Sequence, residues 1–260
     1  HRIYECVQAH TGRTALPEVD SAYWLDIGPT QKWAPFDSLT STQASIVTPL
    51  TYVLRPGFFN ALTCYGFDGA TLSISIKDAP GGTVIYTQTI DLVTPPLDWY
   101  DWGFGRIQPL DKALVQGLTP YPDAELTLTL SAAAAVTVKA GIIAVGDLRD
   151  LAGDGEWGGT QYGATAEPVT YSYIKRNDDG TTQIVRRHAA TDLSVNVVLP
   201  REYADAAVAT VQSVLDVPAA WIATDATGYA ALNVFGLGSG SMQYNSFHEA
   251  VFSIKVKGLV

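Results

Sequence analysis

One short segment of the chain combines carboxylates with aromatic rings, two side-chain types that together bind sugars. It is Asp98-Trp-Tyr-Asp-Trp-Gly-Phe104. Aromatic faces stack on pyranose rings while carboxylates accept hydrogen bonds from sugar hydroxyls, so the segment is a candidate glycan contact. The candidate contact residues are Trp99, Tyr100, Trp102, Asp98 and Asp101. Because a glycoside hydrolase needs only two carboxyl groups, Asp98, Asp101 or Glu125 are also candidates for that chemistry.

The same segment also fits a strand at the rim of a β-sandwich. In a strand, Trp99 and Asp101 would share one face while Tyr100 and Trp102 would share the other. Aromatic side chains are more often part of a core than a ligand platform. We therefore expect a rim strand with alternate aromatics buried and the acids exposed, and no catalytic residues.

The four histidines do not have the spacing of a metal or catalytic site. No two of His1, His10, His188 and His248 stand at ligand spacing on one element, and no Cys/His cluster is present. We expect surface or turn histidines, no metal and no cofactor.

A glycine-rich segment, Gly236-Leu-Gly-Ser-Gly-Ser241, is superficially similar to a phosphate-binding loop or a serine elbow. It lacks the Gly-Lys-Ser/Thr ending, the flanking serine spacing and the strand-to-helix context that those motifs require. We predict a turn between strands.

A second aromatic segment, WLDIGPTQKWAPFD, occupies residues 24–37. Its two prolines and its glycine predict extended or turn geometry, and neither a helix nor a regular strand. Burying its three rings would remove a few hundred Å² from water, worth several kcal/mol at ~25 cal/mol per Å². We therefore predict that Trp24, Trp33 and Phe36 pin this loop across the sandwich or against a neighbouring subunit.

Composition narrows the classes of function. The chain has 260 residues, 47% hydrophobic and 16% charged, with a net charge of −10. That surface repels phosphate backbones and anionic lipid, which argues against nucleic-acid partners, and no apolar run is long enough for membrane insertion. Cys6 and Cys64 are too few for a disulfide framework, so we expect two reduced, buried thiols.

The periodicity predicts an all-β fold, a jelly-roll-like β-sandwich followed by a smaller β domain with one α-helix. Alternating strands are clearest at 71–77 and 125–131, and a continuous strand is expected at 136–145. The sequence Asn177-Asp-Asp-Gly180 predicts a hairpin turn. Apolar residues recur at three and four between 200 and 215, which predicts the one helix.

The glycine-dense stretch 153–163 marks the expected domain boundary. We predict a β-sandwich with the irregular aromatic N-terminal segment over residues 1–152, and a small β domain with a covering helix over residues 153–260.

The opening motif resembles a signature near the start of structural proteins of tailed-bacteriophage virions, Trp-Leu-Asp-x-Gly-Pro-Thr-Asn-Arg-Trp-Ala-x-Phe-Asp, which precedes a jelly-roll segment. This chain carries Gln31 and Lys32 in place of Asn and Arg. It keeps the residues Trp24, Gly28, Pro29, Thr30, Trp33, Phe36 and Asp37. Weaker similarities are Asp98–Trp102, Ile143–Gly146, Gly158, Tyr162–Gly163, Tyr171–Ser172, the helix near 200–215 and Lys255–Leu259.

The resemblance implies a tail-tip or baseplate component that works by assembly rather than catalysis. Its partners would be further copies of itself and other virion tail proteins, with fibre or receptor-binding proteins attached. It would be made in the bacterial cytoplasm and end in the virion tail. Trp24, Trp33, Phe36 and Asp37 would be structural or interface anchors. Two alternatives stay open, a module that binds host surface glycan and a small glycoside hydrolase.

Overall fold

The computed structural model describes residues 1–37, 39, 41–94, 96, 98–105, 109–153, 157–176, 180–226 and 228–259. The chain forms two compact units. The first comprises His1–Gly57, Cys64–Ala113 and Tyr121–Ile143, and the second comprises Phe58–Thr63, Leu114–Pro120 and Ala144–Val260. Strands account for 48% of the structure and helices for 11%, which confirms the all-β class with a small helical part.

Eleven strands lie among the described residues before position 147. They are β1 (Arg2–Cys6), β2 (Trp24–Pro29), β3 (Ala44–Val47), β4 (Leu50–Leu54), β5 (Ala61–Tyr65), β6 (Thr71–Lys77), β7 (Val84–Asp91), β8 (Lys112–Val115), β9 (Glu125–Ser131), β10 (Thr137–Ala140) and β11 (Ile142–Gly146). A six-residue helix, α1 (Trp99–Phe104), lies between β7 and β8.

The centre of the first unit is an antiparallel sheet in the order β4-β9-β6-β7. Its two middle strands have the predicted bounds and pair Leu72 with Leu130, Ile74 with Leu128 and Ile76 with Leu126. All six side chains are buried, and the serines and threonines between them face away. This alternation gives the sheet one apolar face, which is what a sandwich requires.

The expected strand at 136–145 is wrong in one respect, because it is broken at Gly141 into β10 and β11. β10 pairs with β3, whereas β11 belongs to a sheet in the order β11-β5-β8. A Cβ at Gly141 would lie 2.6 Å from the Tyr65 carbonyl oxygen. The strand therefore changes sheets at a residue where only glycine allows the backbone to approach so closely.

The prediction that residues 24–37 contain neither strand nor helix is also wrong. β1 and β2 form an antiparallel ribbon from Cys6–Trp24 to Arg2–Pro29, and residues Gln31–Phe36 form a 3-10 helix. The ribbon accommodates the irregular residues through a register shift between Ile3 and Tyr4 and a φ of 139° at Gly28. Cys6 is exposed on this ribbon, so only Cys64 is the buried thiol that we expected.

The second unit adds eight strands and one longer helix. They are β12 (Gly159–Thr160), β13 (Thr165–Thr170), β14 (Tyr173–Arg176), β15 (Thr182–Val185), β16 (Ala189–Pro200), α2 (Arg201–Gln212), β17 (Ala219–Ile222), β18 (Asn233–Tyr244) and β19 (Glu249–Gly258). The main sheet has the order β12-β16-β19-β18-β17, and β13 also pairs with β16. β14 and β15 pair as the predicted hairpin, although residues 177–179 of its turn lie outside the described residues.

The helix predicted over 200–215 is present as α2, with Pro200 at its N-cap position and its end at Gln212. Ala204, Ala207 and Val211 are buried against inward-facing side chains of β16, β18 and β19. In the part of the chain that the structure describes, no helix is long and apolar enough to cross a membrane.

The glycine-rich turn predicted at 236–241 is wrong, because these residues lie inside β18 and pair with β19. The three glycines alternate with larger residues, so all three face the same side of the sheet. A Cβ at Gly240 would lie 2.6 Å from the Phe252 ring, and one at Gly238 would overlap the Trp221 ring. Gly238 and Gly240 therefore make room for rings contributed by neighbouring strands, whereas a Cβ at Gly236 would meet the backbone of Lys257.

Candidate functional site

Trp33 and Phe36 join Tyr52 of β4 in one aromatic cluster of the first unit. Their ring centroids are 5.4 Å apart, and they lie 6.3 and 5.4 Å from the Tyr52 ring. His1 stacks on Trp33 at 4.5 Å with an 18° interplanar angle. These separations are typical of favourable aromatic pairs. The 3-10 helix, with Pro35 buried inside it, brings Trp33 and Phe36 to the same side.

Two hydrogen bonds attach the same 3-10 helix to the neighbouring strands. The buried Tyr52 hydroxyl donates to the carbonyl oxygen of Lys32 at 2.8 Å, and the Gln31 side-chain amide donates to the carbonyl oxygen of Ser45 at 3.0 Å. Burial raises the pKa of the Tyr52 hydroxyl, so it remains a protonated donor. The segment is thus held by both ring packing and directed bonds.

Trp24 does not share this cluster. Its ring lies on β2, where it meets His10 edge-on at 5.2 Å. His10 also contacts Tyr23, and the Arg13 guanidinium lies 3.6 Å above the Tyr23 ring while pairing with Asp20 at 2.8 Å. Sequence reasoning missed that two histidines pack on the motif tryptophans, because their positions in the chain give no periodic signal.

Asp37 follows the 3-10 helix and organises the next turn. Its carboxylate accepts a hydrogen bond from the Leu39 N–H at 2.8 Å and another from the Thr42 hydroxyl at 2.6 Å. Its own N–H donates to the Ala34 carbonyl oxygen at 3.1 Å. The side chain therefore fixes local backbone rather than facing an open site.

The rim strand expected at 98–102 is wrong, because the segment forms α1. The Asp98 carboxylate accepts a hydrogen bond from the Asp101 N–H at 2.8 Å, as an N-cap residue does. An isolated bridge between Val93 and Pro109 closes the chain on either side of the segment. The helix is therefore an excursion from the sheet, and its alternating aromatics cannot bury one face in a sandwich.

The rings of α1 are paired and unburied. Trp99 stacks near-parallel to Trp102 at 5.9 Å and 14°, and Tyr100 lies 5.2 Å from Phe104. All four residues are between 70% and 81% exposed. At about 100° per residue the rings occupy about 200° of the helix circumference, with Gly103 between the two pairs and Asp101 on the remaining side. Phe104 was not among the predicted site residues, since a strand would have separated it from Tyr100.

The three candidate carboxylates occupy different surroundings. Asp98 caps α1, and Asp101 follows it in the first turn. Glu125 lies on β9, where it is ion-paired with Lys77 at 3.2 Å and Arg55 at 3.5 Å. Among the described residues, no group of three or more His, Cys, Asp or Glu side chains could hold a metal ion.

The fold and these sites define an all-β, sandwich-like protein that carries one exposed aromatic helix. No protein-family model matches the chain, and no curated protein matches it.

Proposed function

We propose that the protein is a structural component of a bacteriophage tail tip or baseplate, self-assembling and joining the tail to fibre or receptor-binding proteins, without enzymatic activity. The resemblance of residues 24–37 to a motif of virion structural proteins supports a location in a bacteriophage particle. The observation that carries the assembly role is α1, whose residues Trp99, Tyr100, Trp102 and Phe104 are all exposed.

The exposed area is the argument for a protein partner. Each buried aromatic side chain removes about 150–250 Å² from water, so four rings supply about 600 Å² or more. The largest apolar patch on a typical monomer is about 300–600 Å², and a standard interface buries about 800 Å² per partner. A six-residue helix thus supplies most of one side of an interface.

Two β-ribbons add further exposed apolar residues, one in each unit. The β1–β2 ribbon exposes Ile3, Leu25 and Ile27, and the β14–β15 ribbon exposes Tyr173, Ile174 and Ile184. Two-stranded ribbons are marginal alone and present unpaired backbone edges. Such elements gain most when another chain covers them.

Sedimentation velocity tests the assembly role. The wild-type chain is expected to form a closed oligomer, and the double variant Trp99→Ala/Trp102→Ala is expected to weaken association at least about 100-fold, as loss of interface hot spots does. Tyr162→Ala is the matched control, because that aromatic residue is 99% exposed but stands outside α1. A wild-type monomer at about 100 μM, or an unaffected double variant, would contradict the proposal.

The virion role has its own measurement. Purified particles from an infected bacterial culture should contain the protein in stoichiometric copies by mass spectrometry, and antibody labelling should mark one end of the tail. Recovery of the protein only in the particle-free lysate would contradict a tail location while leaving self-assembly untouched.

A glycan-binding role for α1 is the second candidate, favoured by the near-parallel Trp99 and Trp102 rings. On this alternative, a glycan array should show a binder that Trp99→Ala abolishes. Asp98→Asn tests the carboxylate, because an amide can still cap the helix while losing the charge. Binding that survives both substitutions would remove α1 from consideration as a glycan site.

A further inference from the structure

We infer that the second unit contains a separate binding site for a neutral sugar, in a cavity of about 840 Å³ between α2 and the edge strand β17. The volume falls in the range of small-molecule sites, about 300–1,000 Å³. The inference does not depend on assembly through α1, because every residue that lines the cavity belongs to the second unit.

The curled sheet of the second unit forms the cavity. Thr160 of β12, at one end of the sheet order, donates its hydroxyl to the carbonyl oxygen of Ala223, just beyond β17 at the other end, at 2.5 Å. Val211 and Val214, at the end of α2, line the cavity from the helix side. Secondary structure therefore lines this partly open cavity on more than one side.

Trp221 provides a fixed aromatic platform in this cavity. Its indole N–H donates to the carbonyl oxygen of Gly236 at 3.2 Å, and its six-membered ring packs against Gly238, where a Cβ would overlap it. The side chain is half-buried and lines the cavity. An indole held against the sheet in this way is pre-organised to stack on a pyranose ring, because little rotamer freedom remains to be lost.

Two carboxylate–amide pairs also belong to the lining of the cavity. The Gln116 side-chain amide donates to Asp225 at 2.7 Å, and the Asn60 side-chain amide donates to Asp147 at 3.1 Å. Each pair combines hydrogen-bond acceptors and donors. Sugar hydroxyls are donors and acceptors at once, so such pairs match them better than they match an apolar ligand.

The charged residues of the cavity favour a neutral sugar over an anionic one. Asp147, Asp150 and Asp225 line the cavity, and Arg149 is the one cation among the described residues that line it. Arg149 is already paired with Asp147 at 2.9 Å. An anionic sugar or a phosphate would therefore meet like charges with no free counter-charge, which favours a neutral hexose or N-acetylhexosamine.

Titration of the full chain by saturation-transfer NMR and calorimetry tests this site. The probes are the methyl glycosides of glucose, galactose, mannose and N-acetylglucosamine, with glucuronic acid as the charged counterpart of glucose. At least one neutral sugar should bind saturably near 1 mM, and glucuronic acid should bind about tenfold more weakly or not at all.

Three substitutions locate the binding. Asp225→Ala, on an exposed residue, should weaken the sugar about tenfold, and Trp221→Phe should weaken it while keeping a ring in the core. Circular dichroism shows whether both variants remain folded. Tyr162→Ala, at an exposed aromatic residue that is absent from the cavity lining, is the control and should leave the affinity unchanged.

Absence of saturable binding by all four neutral sugars would overturn the inference. So would a sugar whose affinity falls in Trp99→Ala but not in Asp225→Ala, since that result places the binding on α1. A loss confined to the Asp225 and Trp221 variants supports the cavity, whatever the oligomeric state proves to be.

Discussion

Replacing Trp33 with alanine tests whether the aromatic residues of the N-terminal segment stabilise the fold, in contrast to those of α1, which we propose contact a partner. The half-buried indole packs against His1, Phe36 and Tyr52. Removing about 100–150 Å² of buried apolar surface costs about 2.5–4 kcal/mol at ~25 cal/mol per Å², and the more compact unfolded chain lowers that value. Each lost aromatic pair adds about 0.5–1.5 kcal/mol. We therefore expect the free energy of unfolding of the first unit to fall by at least about 3 kcal/mol, the lower bound of these terms together.

Urea unfolding followed by far-UV circular dichroism measures this loss without relying on tryptophan fluorescence. The matched control is Trp102→Ala, which removes the same atoms from a residue that is 71% exposed. Measured at a protein concentration low enough to keep the wild type monomeric, the control should change the free energy of unfolding by no more than about 0.5 kcal/mol, as surface substitutions do. At higher concentration it should weaken self-association.

The pair of variants gives a clear refutation. Equal unfolding midpoints for Trp33→Ala and the wild type would show that the 3-10 helix contributes nothing by packing on β4. Equal destabilisation by Trp33→Ala and Trp102→Ala would show that the α1 rings are buried in the monomer, and the assembly argument would then lose its basis.

Three further predictions concern single contacts. Because burial raises the pKa of the Tyr52 hydroxyl, the protonated hydroxyl contributes fully to stability below the unfolded pKa of about 10, and this contribution is lost as the pH rises further. Tyr52→Phe should therefore reduce the fall of the urea midpoint at alkaline pH, and an identical pH profile would count against the buried hydroxyl. Asp98→Ala should destabilise α1 by about 0.5–2 kcal/mol through loss of the N-cap and should weaken self-association. Asp98→Asn keeps a capping side chain and should retain wild-type association, so equal association of the two variants would contradict the capping role. Gly238→Ala should displace the Trp221 ring, lowering the free energy of unfolding by about 1–3 kcal/mol and reducing sugar binding. Gly103→Ala, whose added Cβ meets nothing within 4 Å, should leave stability and sugar binding unchanged, and a larger effect of Gly103→Ala than of Gly238→Ala would refute the packing seen in β18.

The sequence predicts those elements whose own pattern determines their burial. β6 and β9 match their predicted bounds because every second residue faces the core, and α2 matches because its apolar residues recur with the helical period. The α1 segment departs from the predicted strand, and the Asp98 cap holds its first turn as a helix. The glycines of β18 depart from the predicted turn because the rings that they accommodate, Trp221 and Phe252, lie elsewhere in the chain.

The candidate sites also differ in whether the sequence alone reveals them. Residues 24–37 and 98–104 attract attention in the sequence because several aromatics stand close together. The cavity in the second unit carries no such signal, since Asn60, Gln116, Asp147 and Asp225 come from four separate segments. Their side chains meet only through the fold, and no spacing rule relates them.

The exposed area of each aromatic surface indicates whether a sugar or a protein chain could cover it. A pyranose ring has the area of about one side chain, so it can cover the Trp221 platform but leaves most of the roughly 600 Å² of α1 rings in water. Another protein chain can cover all four rings, and the resulting burial at ~25 cal/mol per Å² gives a gross gain of about 15 kcal/mol, enough to offset the cost of association. The same reasoning makes the cavity a poor protein interface, because its indole is half-buried and a partner would also have to desolvate the carboxylates and amides in the lining. Ring area and polar surroundings therefore support the two proposals, assembly through α1 and sugar binding in the cavity of the second unit.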